Sequence, residues 1–225
     1  YALHLRGGGS VTVNGVISEG GSSALVKSDA GIWTLNGANT FQGRITLVNG
    51  TLKLGAAGSL APQVGLAFSC ATGWYSVAHA TFDLNGRSTA VSQLSGVTTH
   101  PWQTNILTSA AAATLTVDQI AATVFNGRLT GALSLVKNGA GTLTISNYPS
   151  ATTGDITVSN GTLAVASGAT LGSGANVSVA GGRLELYAAS AIADAAALKI
   201  WDGAKVLLSG GAIETVDRLF VNGVQ

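Results

Sequence analysis

Charged side chains are scarce in this sequence, because Asp, Glu, Lys and Arg together make up 9% of its 225 residues. A typical globular domain has about a quarter. The formal net charge is +1 and the basic residues are scattered singly, so no broad positive field would attract a nucleic acid. We therefore expect no nucleic-acid partner. Disorder is also excluded, because it needs high charge and low hydrophobicity, whereas 46% of the residues are hydrophobic.

Cysteine and long apolar runs are also nearly absent. Cys70 is the single cysteine, so an intrachain disulfide framework is excluded. No run of 18 or more apolar residues exists, and we expect no membrane-spanning helix. The sequence begins at Tyr1 without a basic segment followed by an apolar one, so no signal peptide is recognisable. We expect a processed or excised piece of a longer polypeptide.

Motifs for catalysis, metal binding and cofactor binding are missing as well. The sequence contains no G-x-S-x-G elbow, no H-E-x-x-H pair, no acidic calcium loop and no dinucleotide-binding glycine motif. Its three histidines, His4, His79 and His100, lie far apart in the sequence. We therefore predict a protein that is not an enzyme and that holds no metal and no cofactor.

Scattered carboxylates leave one enzymatic alternative open. Parallel β-helices also host polysaccharide lyases and hydrolases, and glycoside cleavage requires two carboxylates a few ångströms apart. Solvated surface charges are the simpler interpretation of the acidic residues. The candidates are Asp83, Asp155, Glu185, Asp194, Asp202, Glu214 and Asp217, with Arg87 and Arg218 as cationic partners.

A long internal repeat dominates what the sequence does contain. The stretch from Leu25 to Leu60 recurs from Leu135 to Leu171, at an offset of 110 residues that becomes 111 after an insertion near Pro149. A self-match of this length takes precedence over local motifs. We predict a single β-solenoid segment over residues 1–225, with an internal duplication of about 11–95 and 123–220.

Short alternations of apolar and polar residues recur along the chain and end in turn signals. Trp33-Thr34-Leu35 and Phe82-Asp83-Leu84 each precede an Asn-Gly pair, which occurs eight times. Alternation predicts strands, because successive side chains point to opposite faces. Asn-Gly is typical of hairpins, so an antiparallel meander or β-sandwich is an alternative. A run of unequal strands that repeats in one order favours a parallel β-solenoid.

The predicted solenoid has roughly ten coils of about 20 residues, and its rod is on the order of 50 Å long. Polar residues between the core positions, such as Thr144 and Thr157, are predicted to face outward. Trp33 and Trp201 are predicted to pack in or against the core. The predicted inward residues are Val11, Val13, Leu35, Ile45, Leu47, Leu52, Leu54, Phe82, Leu84, Leu115, Val117, Phe125, Leu143, Ile145, Ile156, Val158, Leu163, Val165, Leu184, Leu186, Val206 and Leu208.

Two segments depart from the period, at residues 62–81 and 96–109. Irregular loops on a solenoid commonly project from one side and bind. Exposed aromatic rings stack on sugars or anchor protein partners, so the candidate binding residues are Trp74, Tyr75, His79 and Trp102. Burial of these loops against the flank of the solenoid is the alternative. The Ala-rich stretch 188–198 predicts either a helix or a tightly packed coil interior.

The repeated stretch resembles the passenger-associated transport repeat of bacterial surface proteins, also called the autotransporter-associated β-strand repeat. In the second copy the resemblance is carried by Lys137–Ile145, Gly154, Val158 and Gly161-Thr162-Leu163. In the first copy it is carried by Asn39-Thr40-Phe41, Gly43 and Gly50-Thr51-Leu52. The first copy departs at Asp29, where the family prefers Gly, and at Ile32-Trp33, where Thr-Leu is usual.

The resemblance implies a right-handed parallel β-helix that is secreted or displayed at the cell surface. It implies no particular activity, since adhesins, toxins and plain stalks share this scaffold. We predict a structural, non-enzymatic segment that serves as a stalk, an adhesive surface or a self-associating extracellular fibre unit. The alternative is a carbohydrate-binding or polysaccharide-cleaving β-helix. The partners expected are a carbohydrate or host-surface ligand and, end to end, further copies of the chain.

Overall fold

The computed structural model describes residues 2–18, 24–69, 78–100 and 102–225. These residues form no helix, and hence none that could cross a membrane. Their strands in chain order are β1 (Ala2–Leu5), β2 (Ser10–Val13), β3 (Ala24–Lys27), β4 (Ile32–Leu35), β5 (Ile45–Leu47), β6 (Gly50–Leu54), β7 (Gly65–Ser69), β8 (His79–Asp83), β9 (Thr89–Val91), β10 (Gln93–Val97), β11 (Thr104–Asp118), β12 (Thr123–Asn126), β13 (Arg128–Asn138), β14 (Thr142–Ser146), β15 (Ala151–Thr152), β16 (Ile156–Val158), β17 (Thr162–Val165), β18 (Val177–Val179), β19 (Arg183–Leu186), β20 (Ala197–Ile200), β21 (Lys205–Leu208) and β22 (Arg218–Val221).

The strands stack into three columns, which we call faces 1, 2 and 3. Face 1 is β1-β3-β5-β7-β10-β12-β14-β17-β19-β21. Face 2 is β2-β4-β6-β8, then the first parts of β11 and β13, then β15. Face 3 is β9, the second parts of β11 and β13, then β16-β18-β20-β22. All of these pairs are parallel, so the antiparallel alternative is wrong.

Each strand of face 1 lies one coil beyond the preceding one, and its ten strands define ten coils. The predicted parallel β-solenoid is therefore confirmed. The register can be followed along one line of paired residues through six coils: Lys27, Leu47, Phe68, Gly96, Phe125 and Ile145.

One continuous apolar core fills the solenoid. Leu143 and Ile145 on face 1 are fully inaccessible, as are Ile156 and Val158 on face 3. Thr144 and Thr157, which alternate with them, are half-buried on the outside. This alternation is the one predicted, because a strand in a coil has one face toward the core and one toward solvent.

The predicted core fails at the two terminal coils. Val11 and Leu208 are exposed, and Val13 and Val206 are only partly buried. Each belongs to the first or last strands of the stack, where no further described coil covers it. The prediction that Trp201 packs in or against the core is also wrong, because this residue is 43% exposed. Trp33 does pack against the core.

Gly96 makes room for the largest side chains of the core. Its neighbours in the stack are Phe68 and Phe125, whose ring centroids lie 5.3 Å apart across the fifth coil. A Cβ atom at position 96 would meet the Phe125 ring at 3.0 Å. The glycine therefore allows two aromatic rings to pack directly on each other through an intervening coil.

The two copies of the sequence repeat lie on different faces. Lys27 ends β3 on face 1, whereas its counterpart Lys137 lies in the second part of β13 on face 3. Leu35 lies on face 2, whereas its counterpart Ile145 lies on face 1. The 110 residues that separate equivalent positions of the two copies therefore correspond to five full coils minus one face.

The predicted irregular segments are shorter in the structure. Within 62–81, residues 65–69 form β7 and β8 begins at His79. Within 96–109, β10 continues to Val97 and β11 begins at Thr104. The Ala-rich stretch 188–198 contains no helix. Ala188, Ala191 and Ala196 are buried residues in turns, which agrees with the other interpretation of this stretch, a tightly packed coil interior.

Two buried lysines, absent from the predicted core, stabilise equivalent turns of the two copies. The Lys27 Nζ atom donates to the carbonyl oxygens of Ser28, Asp29 and Asn49 at 2.7, 2.7 and 3.0 Å. The Lys137 Nζ atom donates to those of Asn138, Gly139 and Asn160 at 2.7, 2.8 and 3.2 Å. Both side chains are inaccessible to solvent, and burial lowers the pKa of each. Each lysine joins its own turn to the Asn-Gly-Thr segment of the next coil.

The same turns explain where the first copy departs from the family pattern. Asp29 has φ +62° and its counterpart Gly139 has φ +75°, a left-handed conformation that glycine adopts freely and Asp adopts better than most residues. The Asp29 carboxylate also accepts a hydrogen bond from Gly7 N at 2.9 Å in the preceding coil. An aspartate therefore fills a glycine position and adds a contact between coils.

Candidate functional site

An open cleft lies at the corner where face 1 turns into face 2. Its volume is about 340 Å³, and its walls are Thr98, Thr99 and His100 on one side and Asn147 and Tyr148 on the other. We call it the corner cleft. The first wall belongs to the segment between β10 and β11 in the fifth coil, and the second to the segment between β14 and β15 in the seventh.

The cleft exists because the sixth coil turns this corner with one residue. Gly127 alone separates β12 from β13, while the corners before and after it are longer. A Cβ atom on Gly127 would lie 2.5 Å from the Phe125 ring and 2.7 Å from the Asn105 carbonyl oxygen. Only glycine fits so tight a corner, and the two longer corners therefore stand above it as walls.

Gln103 fixes the shape of the first wall. Its side-chain oxygen accepts hydrogen bonds from Thr99 N at 2.8 Å, from Thr99 Oγ1 at 3.1 Å and from His100 N at 3.3 Å. Gln103 is itself fully buried. The Tyr148 hydroxyl donates to the Gln103 carbonyl oxygen at 2.8 Å, which ties the two walls together across the sixth coil.

Aromatic rings lie in and beside both walls of the cleft. The His100 and Trp102 rings stack with centroids 4.7 Å apart and planes inclined by 27°, yet Trp102 remains 43% exposed. On the other wall, the Arg128 guanidinium lies over the Tyr148 ring at 5.5 Å, within range of a cation–π contact. None of the salt bridges among the described residues involves Arg128.

The predicted binding residues are distributed unevenly. Trp102 does not line the cleft but stacks on His100, which does. His79 is exposed at the start of β8, and its Nδ1 atom is 2.7 Å from Thr104 Oγ1, so it lies beneath the first wall rather than in it. Trp74 and Tyr75 lie outside the described residues. The sequence reasoning did not select His100 or Tyr148, although the insertion near Pro149 marked the second wall.

Five of the seven candidate carboxylates, Asp83, Asp155, Glu185, Glu214 and Asp217, form salt bridges or accept hydrogen bonds. Asp83 pairs with Lys53 at 3.4 Å rather than with Arg87, and Glu185 pairs with Arg183 at 2.8 Å. Asp217 pairs with the adjacent Arg218. Glu214 accepts hydrogen bonds from Ala191 N and Ile192 N at 2.9 Å each, and burial raises its pKa. Among the described ranges, no group of three or more His, Cys, Asp or Glu could hold a metal ion.

These features define a class of protein, an extended parallel β-solenoid with a lateral cleft. Residues 25–54 and 135–165 match the family described as Passenger-associated-transport-repeat. The chain is 31% identical over 203 residues to the adhesin BmaC autotransporter of Brucella suis biovar 1 (strain 1330). The chain thus contains two passenger-associated transport repeats, which confirms the resemblance seen in the sequence, and over most of its length it is similar to an autotransporter adhesin.

The similarity to the adhesin covers 90% of this chain but 5% of the adhesin. The chain therefore spans a small part of that relative's length. No solved structure gives a significant match.

Proposed function

We propose that this chain is a non-enzymatic segment of a passenger displayed at the cell surface or secreted, and that it serves both as stalk and as adhesive surface. The similarity to an adhesin over 90% of the chain supports this proposal most directly. The fold adds a physical argument. A solenoid with one core through ten coils is a stiff support, and the corner cleft is a concave surface on its side.

The adhesive role can be tested with beads that carry the purified chain, applied to cultured epithelial cells. Retention well above that of beads carrying the heat-denatured chain is the expected result, because a folded surface should be required. Equal retention of both kinds of bead would contradict adhesion by this segment.

The absence of catalysis needs its own assay. The chain, incubated with a panel of polysaccharides, should release neither unsaturated nor reducing sugar ends, since Asp83 is paired with Lys53 and Asp217 with Arg218. Release that Asp83→Asn or Asp217→Asn abolishes would establish the polysaccharide-cleaving alternative instead.

Self-association through the terminal coils is a second proposal, supported by their exposed apolar residues. The strands at the ends of the three stacks have a described neighbour on one side only, and Leu219 in β22 is 46% exposed. Open strand edges recruit other strands. We expect the isolated chain to associate end to end at high concentration, as seen by sedimentation velocity and electron microscopy.

Two substitutions distinguish association through the terminal coils from nonspecific hydrophobic association. Leu219→Lys should weaken the association, whereas Ile120→Lys should not, because Ile120 is 88% exposed on the side of the solenoid. A monodisperse monomer at high concentration, with exchange-protected amides in both terminal coils, would refute the proposal.

A further inference from the structure

We propose that the corner cleft binds a saccharide together with the exposed Trp102 ring, which lies beside the cleft on His100 and serves as a stacking platform. This inference deepens the adhesive function proposed above and rests on it. It goes further by naming the site and the chemical class of the ligand. Its support comes from the stacked His100–Trp102 pair and from the polar walls, the rigidity and the size of the cleft.

The Trp102 ring, stacked on His100 beside the cleft, provides the apolar contact that a sugar ring needs. A pyranose presents C–H groups on its faces and hydroxyl groups at its edges, so it stacks flat on an aromatic ring. The indole of Trp102 has one side covered by His100 at 4.7 Å and still keeps 43% of its surface exposed. An exposed aromatic side chain that a neighbouring ring holds in place is pre-organised for stacking on a ligand.

The walls of the cleft provide hydrogen-bonding groups of matching kind. Thr98, Thr99 and Asn147 bring hydroxyl and amide groups, and His100 brings an imidazole. None of the described lining residues is a carboxylate, a lysine or an arginine, and the nearby Arg128 guanidinium lies against the Tyr148 ring. Such a set suits a ligand rich in hydroxyl groups better than a peptide, whose side chains would need apolar pockets or charged partners.

The geometry of the cleft is fixed before a ligand arrives. Three hydrogen bonds to the Gln103 side chain hold the first wall, and the Tyr148 hydroxyl joins it to the second. A rigid site loses little conformational entropy on binding. This matters for a weakly binding, flexible ligand such as an oligosaccharide.

The size of the cleft sets the ligand size. A volume of about 340 Å³ is near the lower end of small-molecule sites, which span about 300–1,000 Å³. There is room for a short stretch of sugar rings, and the open sides allow a longer chain to continue in both directions. The cleft therefore fits a terminal or internal segment of a surface glycan.

The test uses the full chain and a pair of tryptophan variants. The wild-type chain is applied to a glycan array, and the oligosaccharide bound most strongly is titrated by calorimetry into the wild type, Trp102→Ala and Trp201→Ala. Trp201 is the matched control because it is also 43% exposed but lies in the segment after β20, away from the cleft. Thermal unfolding of each variant checks that the fold is retained.

We expect Trp102→Ala to weaken binding about tenfold or more, as loss of an aromatic anchor does, and Trp201→Ala to leave it unchanged. Absence of any binder on the array, equal losses in both variants, or a loss confined to Trp201→Ala would each overturn the saccharide site. So would displacement of the oligosaccharide by a peptide library rather than by related sugars.

The bead assay distinguishes this failure from that of the adhesive function. Adhesion of coated beads that is insensitive both to Trp102→Ala and to the competing oligosaccharide would leave the adhesive function standing and overturn the cleft as its site. Binding on the array without adhesion of beads would support the saccharide site and contradict adhesion to the cells used.

Discussion

Leu143→Ala should lower the free energy of unfolding by about 2–5 kcal/mol, the usual range for removal of a large side chain from a packed core. Leu143 is fully inaccessible and is paired in the stack with Thr123 on one side and Leu163 on the other. Neighbouring coils are held in register by backbone hydrogen bonds, so they cannot collapse into the cavity. Urea denaturation followed by circular dichroism measures the loss.

Thr144→Ser is the matched control for this substitution. Thr144 is the next residue of the same strand, but it faces outward and is half-buried. Removal of its methyl group should change the free energy of unfolding by at most about 0.5 kcal/mol. Equal destabilisation by the two substitutions would show that the inward and outward positions are assigned wrongly.

Lys137→Met should have the second-largest effect, a loss of about 2–4 kcal/mol in the free energy of unfolding. Methionine replaces the buried aliphatic part of the side chain but cannot donate to the carbonyl oxygens of Asn138, Gly139 and Asn160. Relief from burying a charge offsets part of this loss. The loss dominates because buried acceptors without a donor are costly.

The matched control is Lys53→Met, since Lys53 makes a partly exposed salt bridge with Asp83 at 3.4 Å. Such pairs contribute about 0–1 kcal/mol, so this variant should be nearly as stable as the wild type. A Lys137→Met variant no less stable than Lys53→Met would show that the three carbonyl groups find other partners.

The same lysine predicts a dependence on pH. Burial holds the pKa of Lys137 below its ordinary value of 10.5, so between the lowered pKa and 10.5 the unfolded chain binds more protons than the folded one. Lys27 and Lys137 should therefore make the stability of the wild type rise with pH across this window, against a smaller opposing contribution from Tyr187, whose pKa is raised by its hydrogen bond to Glu185. In Lys137→Met the rise should be smaller than in the wild type, because only one of the two buried lysines remains. A difference in the opposite sense would contradict the direction of the pKa shift.

The fold was largely predictable because each strand carries its own pattern. The alternation of apolar and polar residues around Leu143 and Ile145 indicates which side of the strand faces the core. The repetition of unequal strands in one order favoured parallel stacking over hairpins. Burial at the ends was not predictable in this way. Val11 and Leu208 alternate correctly, but a residue is buried only if a further coil covers it.

The buried lysines were missed for a related reason. A lysine in a strand normally faces solvent, and Lys27 stays inside only because carbonyl groups from its own turn and from Asn49 converge on its Nζ atom. Each copy of the repeat contains the lysine and the asparagine whose carbonyl oxygen it contacts, Lys27 with Asn49 and Lys137 with Asn160. The spacing between lysine and asparagine can be interpreted only once the length of a coil is known.

The candidate site was predicted in part. Trp102 stood out as an aromatic residue in an irregular segment. Tyr148 did not, because it lies 45 residues beyond its hydrogen-bond partner Gln103. The two residues are two coil lengths apart along the chain and meet across the sixth coil. The cleft itself depends on the one-residue corner at Gly127. That this corner is shorter than the corners of the neighbouring coils is not visible as a motif in the sequence.

The placement of the repeat copies on different faces changes what duplication means for this molecule. A segment duplicated at an offset of a whole number of coils would repeat its outward surface along one side of the solenoid. Here the second copy begins one face short of five full coils after the first, so equivalent outward residues of the two copies lie on different sides of the solenoid. A partner that recognised both copies at once would have to wrap around the shaft, and a flat surface could meet them only one at a time.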